Sequence, residues 1–318
     1  MNSTFAALKG QLETQPWLIE GSAHAALLTA IEGTIIENAG VIEDMLRERD
    51  RESAMAIADG VAEIPITGPL LRSPGIFERL IGAADTVAIA RHVEAAASMP
   101  SVKSILLTIN SPGGSIAGIP ELAALVRAAA AKKSVVAFTD GVMASAAYWL
   151  ASQASTIIAS TSASVGSIGV YIPWQDSSAR AAAMGIKTGV VTNAGGTLKG
   201  MGHPGTSYSE EQMAHLQAKA DELFGMFKGD VTAARRRIKP DAIKGQTFFG
   251  RSALAAGLVD EVGAHGGAWT AAYNLGNRTA PAAQAQSPAD EIRAQLRACR
   301  DPRAAGLLAA RLNELSAR

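Results

Sequence analysis

The feature that most limits how this chain can fold is an alternation, from Val61 to about Val262, of short β-branched runs with helix-compatible stretches. VAEIPITGPL opens the series with the composition of a buried strand and ends in Gly68-Pro69, a strong turn signal. Residues 85–98 then suit a helix, Lys103 to Ile109 a continuous apolar strand, 115–131 an Ala-rich helix and Val135 to Thr139 another strand. The series goes on with a helix over Ala144 to Ala151, a strand over Thr156 to Ala159, a helix over 176–184 and a strand over Ile186 to Thr192. A long helix over 209–238 follows, capped by Ser209 with Glu210 and Glu211 in its first turn. Parallel neighbours need crossover connections, so this order predicts an α/β fold with a mainly parallel sheet flanked by helices.

That core is expected over residues 58–265, between a helical extension (1–57) and a linker with a short helical tail (266–318). In the extension, Leu27, Leu28 and Ile31 mark one helical face and Ile42, Met45 and Leu46 the next. In the tail, TAPAAQAQSPAD reads as a flexible linker, and Asp301, Pro302, Leu308, Leu312 and Leu315 fit a capped amphipathic helix. Lys+Arg and Asp+Glu both total 29, and the densest basic cluster is only Arg235 to Arg237, which argues against a nucleic-acid partner. The single cysteine, Cys299, cannot form an internal disulfide and suits a reducing compartment. In MNSTFAALKGQLETQPWL, Lys, Glu and Pro interrupt the apolar residues before a signal-peptide core or membrane span builds up. A soluble cytoplasmic protein with no membrane anchor is the expectation.

Two strand ends carry the candidate chemistry. After Ile109 comes Asn110-Ser111-Pro112-Gly113-Gly114-Ser115, where adjacent glycines let backbone approach a ligand and N–H groups can face a developing oxyanion. The same letters also suit an ordinary Gly-rich turn. One βα unit later comes Asp140-Gly141-Val142-Met143-Ala144-Ser145-Ala146-Ala147-Tyr148-Trp149, where small residues crowd around a serine at a helix start. Ser145 there is either a nucleophile or a helix cap, and a nucleophile needs a base. The histidines are His24, His92, His203, His215 and His265, and none has an aspartate orienter close by in sequence. Lysine is the other choice: Lys199 lies in the uncharged, glycine-rich Asn193-Ala194-Gly195-Gly196-Thr197-Leu198-Lys199-Gly200. Desolvation would lower its pKa and let it accept a proton, whereas a solvated loop lysine would not.

Together these pieces resemble the S49 serine peptidases, which include signal peptide peptidase A and the head-maturation proteases of tailed phages. The resemblance spans about Val61 to Gly263 through VAEIPITGPL, NSPGG, MASAAYWLAS, SASVGSIGVY, GGTLKG and GRSALAAGLVDEVG in that order. It implies a ClpP/crotonase-like fold and a Ser-Lys dyad, with Ser145 as nucleophile and Lys199 as general base. It implies an oxyanion hole from backbone N–H groups around Gly113 and Gly114, and a substrate path along Ser111, Pro112, Ala144 and Ala146. No cofactor, metal or nucleotide is called for. Ala146 and Ala147 stand where many relatives have glycines, and Thr197-Leu198 replaces the more usual aromatic or polar pair before the lysine; these departures bear on substrate preference. The helical extension and the missing anchor look more like phage or prophage members, which implies capsid or scaffold proteins as substrates, acting in host cytoplasm or prohead. In the family the dyad can be assembled across neighbouring subunits, so a homo-oligomer is expected. Competing readings are a signal-peptide or general peptide-degrading enzyme, a crotonase-type acyl-CoA enzyme, and an inactive capsid assembly or scaffold protein.

Overall fold

A computed structural model describes residues 17–19, 39–80 and 82–279. Among the described residues the order begins with β1 (Trp17–Ile19), α1 (Ala39–Glu52), β2 (Ala56–Ala58), β3 (Val61–Thr67), β4 (Leu70–Leu71), α2 (Ile76–Leu80) and β5 (Ala84–Asp85). It continues with α3 (Thr86–Ser98), β6 (Ser104–Asn110), β7 (Gly113–Ser115), α4 (Ile119–Ala130), β8 (Ser134–Thr139), β9 (Val142–Ala144) and α5 (Ala146–Ser152). The remainder is β10 (Thr156–Ala159), β11 (Ser164–Gly166), α6 (Ser178–Ala183), α7 (Glu210–Ala234), β12 (Thr247–Phe249), α8 (Gly250–Ala255), β13 (Glu261–Val262) and α9 (His265–Thr279).

The main sheet has the order β13-β10-β8-β6-β3-β2 and is parallel except where β2 meets β3. Its central strands are buried on both faces, which is why SILLTIN and SVVAFT read as continuous apolar runs without alternation. Helices α3, α4 and α5 supply Ile89, Val93, Leu122, Val126 and Leu150 to one core. On another side, Ala268 and Ala272 of α9 pack with Val61, Leu106, Val136, Phe138 and Ile158. The mainly parallel sheet flanked by helices is therefore the architecture the alternation predicted.

Each of β3, β6, β8 and β10 is followed within a few residues by a short second strand, β4, β7, β9 and β11. These form two smaller sheets, β1-β7-β4-β5 and β12-β11-β9, linked by a parallel bridge between Ser111 and Met143. The second rank thus repeats the lateral order of the first. This arrangement sets the site, because the chain leaves the main sheet at each strand end and turns there before entering its helix.

Several elements differ from the sequence reading. The helix expected from residue 115 starts at Ile119, because Gly113–Ser115 is a strand paired with β4. The stretch Ile186–Thr192 forms no strand: no neighbouring edge receives it, and Ile186, Val190 and Val191 are exposed. The chain after Ala264 continues into α9, whose Ala268 and Ala272, one turn apart, give it a flat buried face. Trp17–Ile19 is a strand within the stretch read as helical, whereas α1 is helical as read. The expectations for Leu27, Leu28 and Ile31 and for the tail beyond Ala280 lie outside the described residues.

Candidate active site

Ser145 sits between β9 and α5 with φ 54° and ψ −120°, a conformation that L-residues reach only under strain. Three contacts over-determine it. Its own N–H donates to the Gly166 carbonyl at 2.8 Å, the Ala144 N–H donates to the Ser111 carbonyl at 3.1 Å, and the Ser111 N–H donates to the Val142 carbonyl at 2.7 Å. The helix behind it is held at both of its large side chains. Trp149 donates from Nε1 to Asp230 Oδ2 at 2.9 Å and stacks on Phe227 with ring centres 4.7 Å apart. Tyr148 donates its hydroxyl to the Leu258 carbonyl at 2.9 Å, and burial pushes its phenol well above the usual range, Arg235 lowering and Asp260 raising it further as smaller influences. Every residue of α5 is buried, so the serine stands on a rigid base.

The Ser145 side chain caps no helix N–H, which removes the capping role that the sequence left open. Beside it the glycine pair forms β7. Gly113 has φ 100°, open to glycine at little cost, and its N–H donates to Ser111 Oγ at 3.2 Å. Gly114 lies against β4 so closely that a Cβ would sit 1.9 Å from the Leu70 carbonyl oxygen, so no side chain fits there. The Ser111–Met143 bridge ties this strand end to β9. Ser111, Pro112, Gly113, Gly114, Ala144, Ser145 and Ala146 are thereby brought to one place, all buried except the half-buried Pro112.

Lys199 is not drawn into this group. It is exposed, on the loop between α6 and α7, and among the described residues its ammonium makes no hydrogen bond to Ser145. That loop is tied to the start of α7, where Gln212 Nε2 donates to the Thr197 carbonyl and Thr197 Oγ1 donates to Glu211, both at 3.1 Å. Two residues that the chemical reading of the sequence did not weigh also belong to the site. Gly166 supplies the carbonyl that holds the Ser145 N–H, and the neighbouring Ser167, with φ 54°, donates its N–H to the Gln246 carbonyl at 2.7 Å. The alternating SASVGSIGVY, rich in glycine and serine, was the available signal.

The fold and this turn define a class: an α/β protein that presents a strained serine at a strand-to-helix corner, beside a glycine pair on the neighbouring strand. Residues 127–277 match the model of Peptidase family S49, a stretch that holds both Ser145 and Lys199. Relatives include a protein of Methanocaldococcus jannaschii, 34% identical over 184 residues, which are 57% of this chain and 58% of that one. "Capsid assembly protease C" of Escherichia phage lambda is 28% identical over 65% of this chain and 47% of its own, and "Protease 4" of Salmonella typhi is 33% identical over 52% and 27%. The chain thus spans about half, or less, of the length of these curated relatives. Among solved structures, an enoyl-CoA hydratase from Shewanella pealeana matches over 85% of this chain and 91% of that one at 13% identity and a TM-score of 0.41, a weak likeness that says nothing about what the chain binds. Among the described residues no helix is long and apolar enough to cross a membrane.

Proposed function

We propose that this chain is a serine endopeptidase in which Ser145 is the nucleophile and Lys199 the general base. The observation that carries the reading is the strained Ser145 corner beside Gly113 and Gly114. Ser145 Oγ attacks a peptide carbonyl, Lys199 takes the proton and returns it to the leaving amine, and water releases the acyl-enzyme. Backbone N–H groups around Gly113 and Gly114 receive the oxyanion, with Ser111, Pro112, Ala144 and Ala146 along the substrate path.

The exposed Lys199 needs a cover to act as a base. Its loop also shows Ile186 51%, Val190 42% and Val191 100% exposed, an apolar run with the character of an interface. A homo-oligomer in which one copy's loop packs on the next satisfies both, with the dyad completed across the contact. The likeness to capsid assembly protease C of phage lambda supports capsid or scaffold proteins as substrates, and with them a place in host cytoplasm or prohead.

The test uses a peptide library and a capsid or scaffold substrate. Ser145→Ala should lose on the order of 10⁴-fold or more in turnover and Lys199→Ala about 10²- to 10⁴-fold. Mixing the two inactive variants should restore part of the activity if the dyad is shared between copies. Wild-type cleavage by either single variant would sink the assignment.

A further inference from the structure

The strand β7 has two edges, and both are taken. On one side Leu70 of β4 pairs with Gly114. On the other lies β1, antiparallel, with Trp17 opposite Ser115, Leu18 opposite Gly114 and Ile19 opposite Gly113. An extended peptide that is to bring its carbonyl to the glycine pair would have to lie on an edge of β7, since strand addition supplies the main-chain hydrogen bonds and adjacent pockets supply side-chain choice. The β4 edge is built into the fold, so the edge under β1 is the one such a peptide would use.

The side chains agree with the backbone. Ile19 is only 3% exposed, and it lines a groove of about 580 Å³ with Ser167, Ile168, Tyr171, Phe224 and Ile243. This groove reaches the nucleophile corner by one covalent step, because Ser167 follows Gly166, whose carbonyl holds the Ser145 N–H. A segment remote in sequence therefore places a branched apolar residue between the glycine pair and the Ser167 wall, in the posture a bound peptide would adopt.

We infer that Trp17–Ile19 is a built-in pseudosubstrate that closes the peptide groove along β7 until it is displaced. The inference rests on the peptidase reading of Ser145. It also states a ligand class: an extended segment, antiparallel to β7, with a branched aliphatic residue at the Ile19 position.

The test compares the full chain with its Ile19→Asp variant, which puts a carboxylate into the apolar groove, and with the conservative Ile19→Val. Two quantities are read, amide hydrogen exchange over Gly113–Ser115 and the rate at which a serine-directed phosphonate labels Ser145. Ile19→Asp should raise both by about thirty-fold, the size that burial of one isoleucine supports, while Ile19→Val stays within a few-fold of the parent. A synthetic peptide of residues 14–22 should slow labelling of the Asp variant again. Equal exchange over Gly113–Ser115 in parent and Asp variant overturns the inference, and so does raised exchange with an unchanged, measurable labelling rate. Raised exchange with no labelling of Ser145 in any of the chains overturns the peptidase reading instead and leaves the seat of β1 on β7 supported.

Discussion

Replacing Ser145 with glycine separates the requirements of the chemistry from those of the fold. At φ 54° and ψ −120° a residue with a Cβ carries strain of about 1–3 kcal/mol, and this strain is as great for alanine as for serine. Glycine removes it at a cost of about 0.5–1 kcal/mol in added freedom of the unfolded chain. No capping hydrogen bond is lost, since the hydroxyl makes none. Ser145→Gly should therefore be more stable than Ser145→Ala by about 1 kcal/mol, at most about 2.5 kcal/mol, which is the reverse of the usual order for these two residues. Denaturant midpoints at constant slope would measure the difference, which corresponds to a rise of roughly 2–4 °C in melting temperature per kcal/mol for a chain of this size. Both variants should be inactive. If the glycine variant is instead the less stable by about 0.5–1 kcal/mol, Ser145 is not held under strain and the corner has been misjudged.

Gly114→Ala should be among the most damaging single-methyl changes in the protein. The new Cβ would meet the Leu70 backbone at 1.9 Å, and neither strand has a flexible end that could yield, so a loss of about 3 kcal/mol is expected in equilibrium unfolding; a loss under about 0.5 kcal/mol would contradict the close approach. Tyr148→Phe should cost about 1–2 kcal/mol, because the Leu258 carbonyl loses its donor in a buried setting. The parent chain should also lose stability as pH rises above about 10: the unfolded phenol then releases its proton while the buried one keeps it, so the unfolded state binds fewer protons. Melting temperatures of parent and Tyr148→Phe followed from pH 8 to 11 should converge, and a constant gap would refute the assignment.

How much of this was legible beforehand follows the range of the forces involved. The strands Lys103–Ile109, Val135–Thr139 and Thr156–Ala159 and the long helix capped at Ser209 could be read because burial pattern and capping are local; the capping box of Ser209 and Gln212 is present as a closed pair. Ser145 and the glycine pair could be nominated for the same reason, each being a run of small residues between a strand and a helix. Their meeting could not, since it depends on the parallel bridge between Ser111 and Met143 and on the Gly166 carbonyl, contacts between segments about twenty to thirty residues apart along the chain. The same limit hid the seat of Trp17–Ile19 on β7 and the face of α9 that covers the sheet.

Lys199 marks the far end of that scale. Its glycine-rich, uncharged neighbours left a buried amine and a solvated one both open, because local polarity does not fix burial, and in the folded single chain the residue is exposed. By itself, then, the sequence determined the alternating α/β architecture and the identity of the serine corner, because periodicity and steric size act over a few residues. Only the tertiary structure decided the strain at Ser145, the company it keeps and the strand that lies across its groove, because these arise from pairing between distant segments that no local pattern encodes.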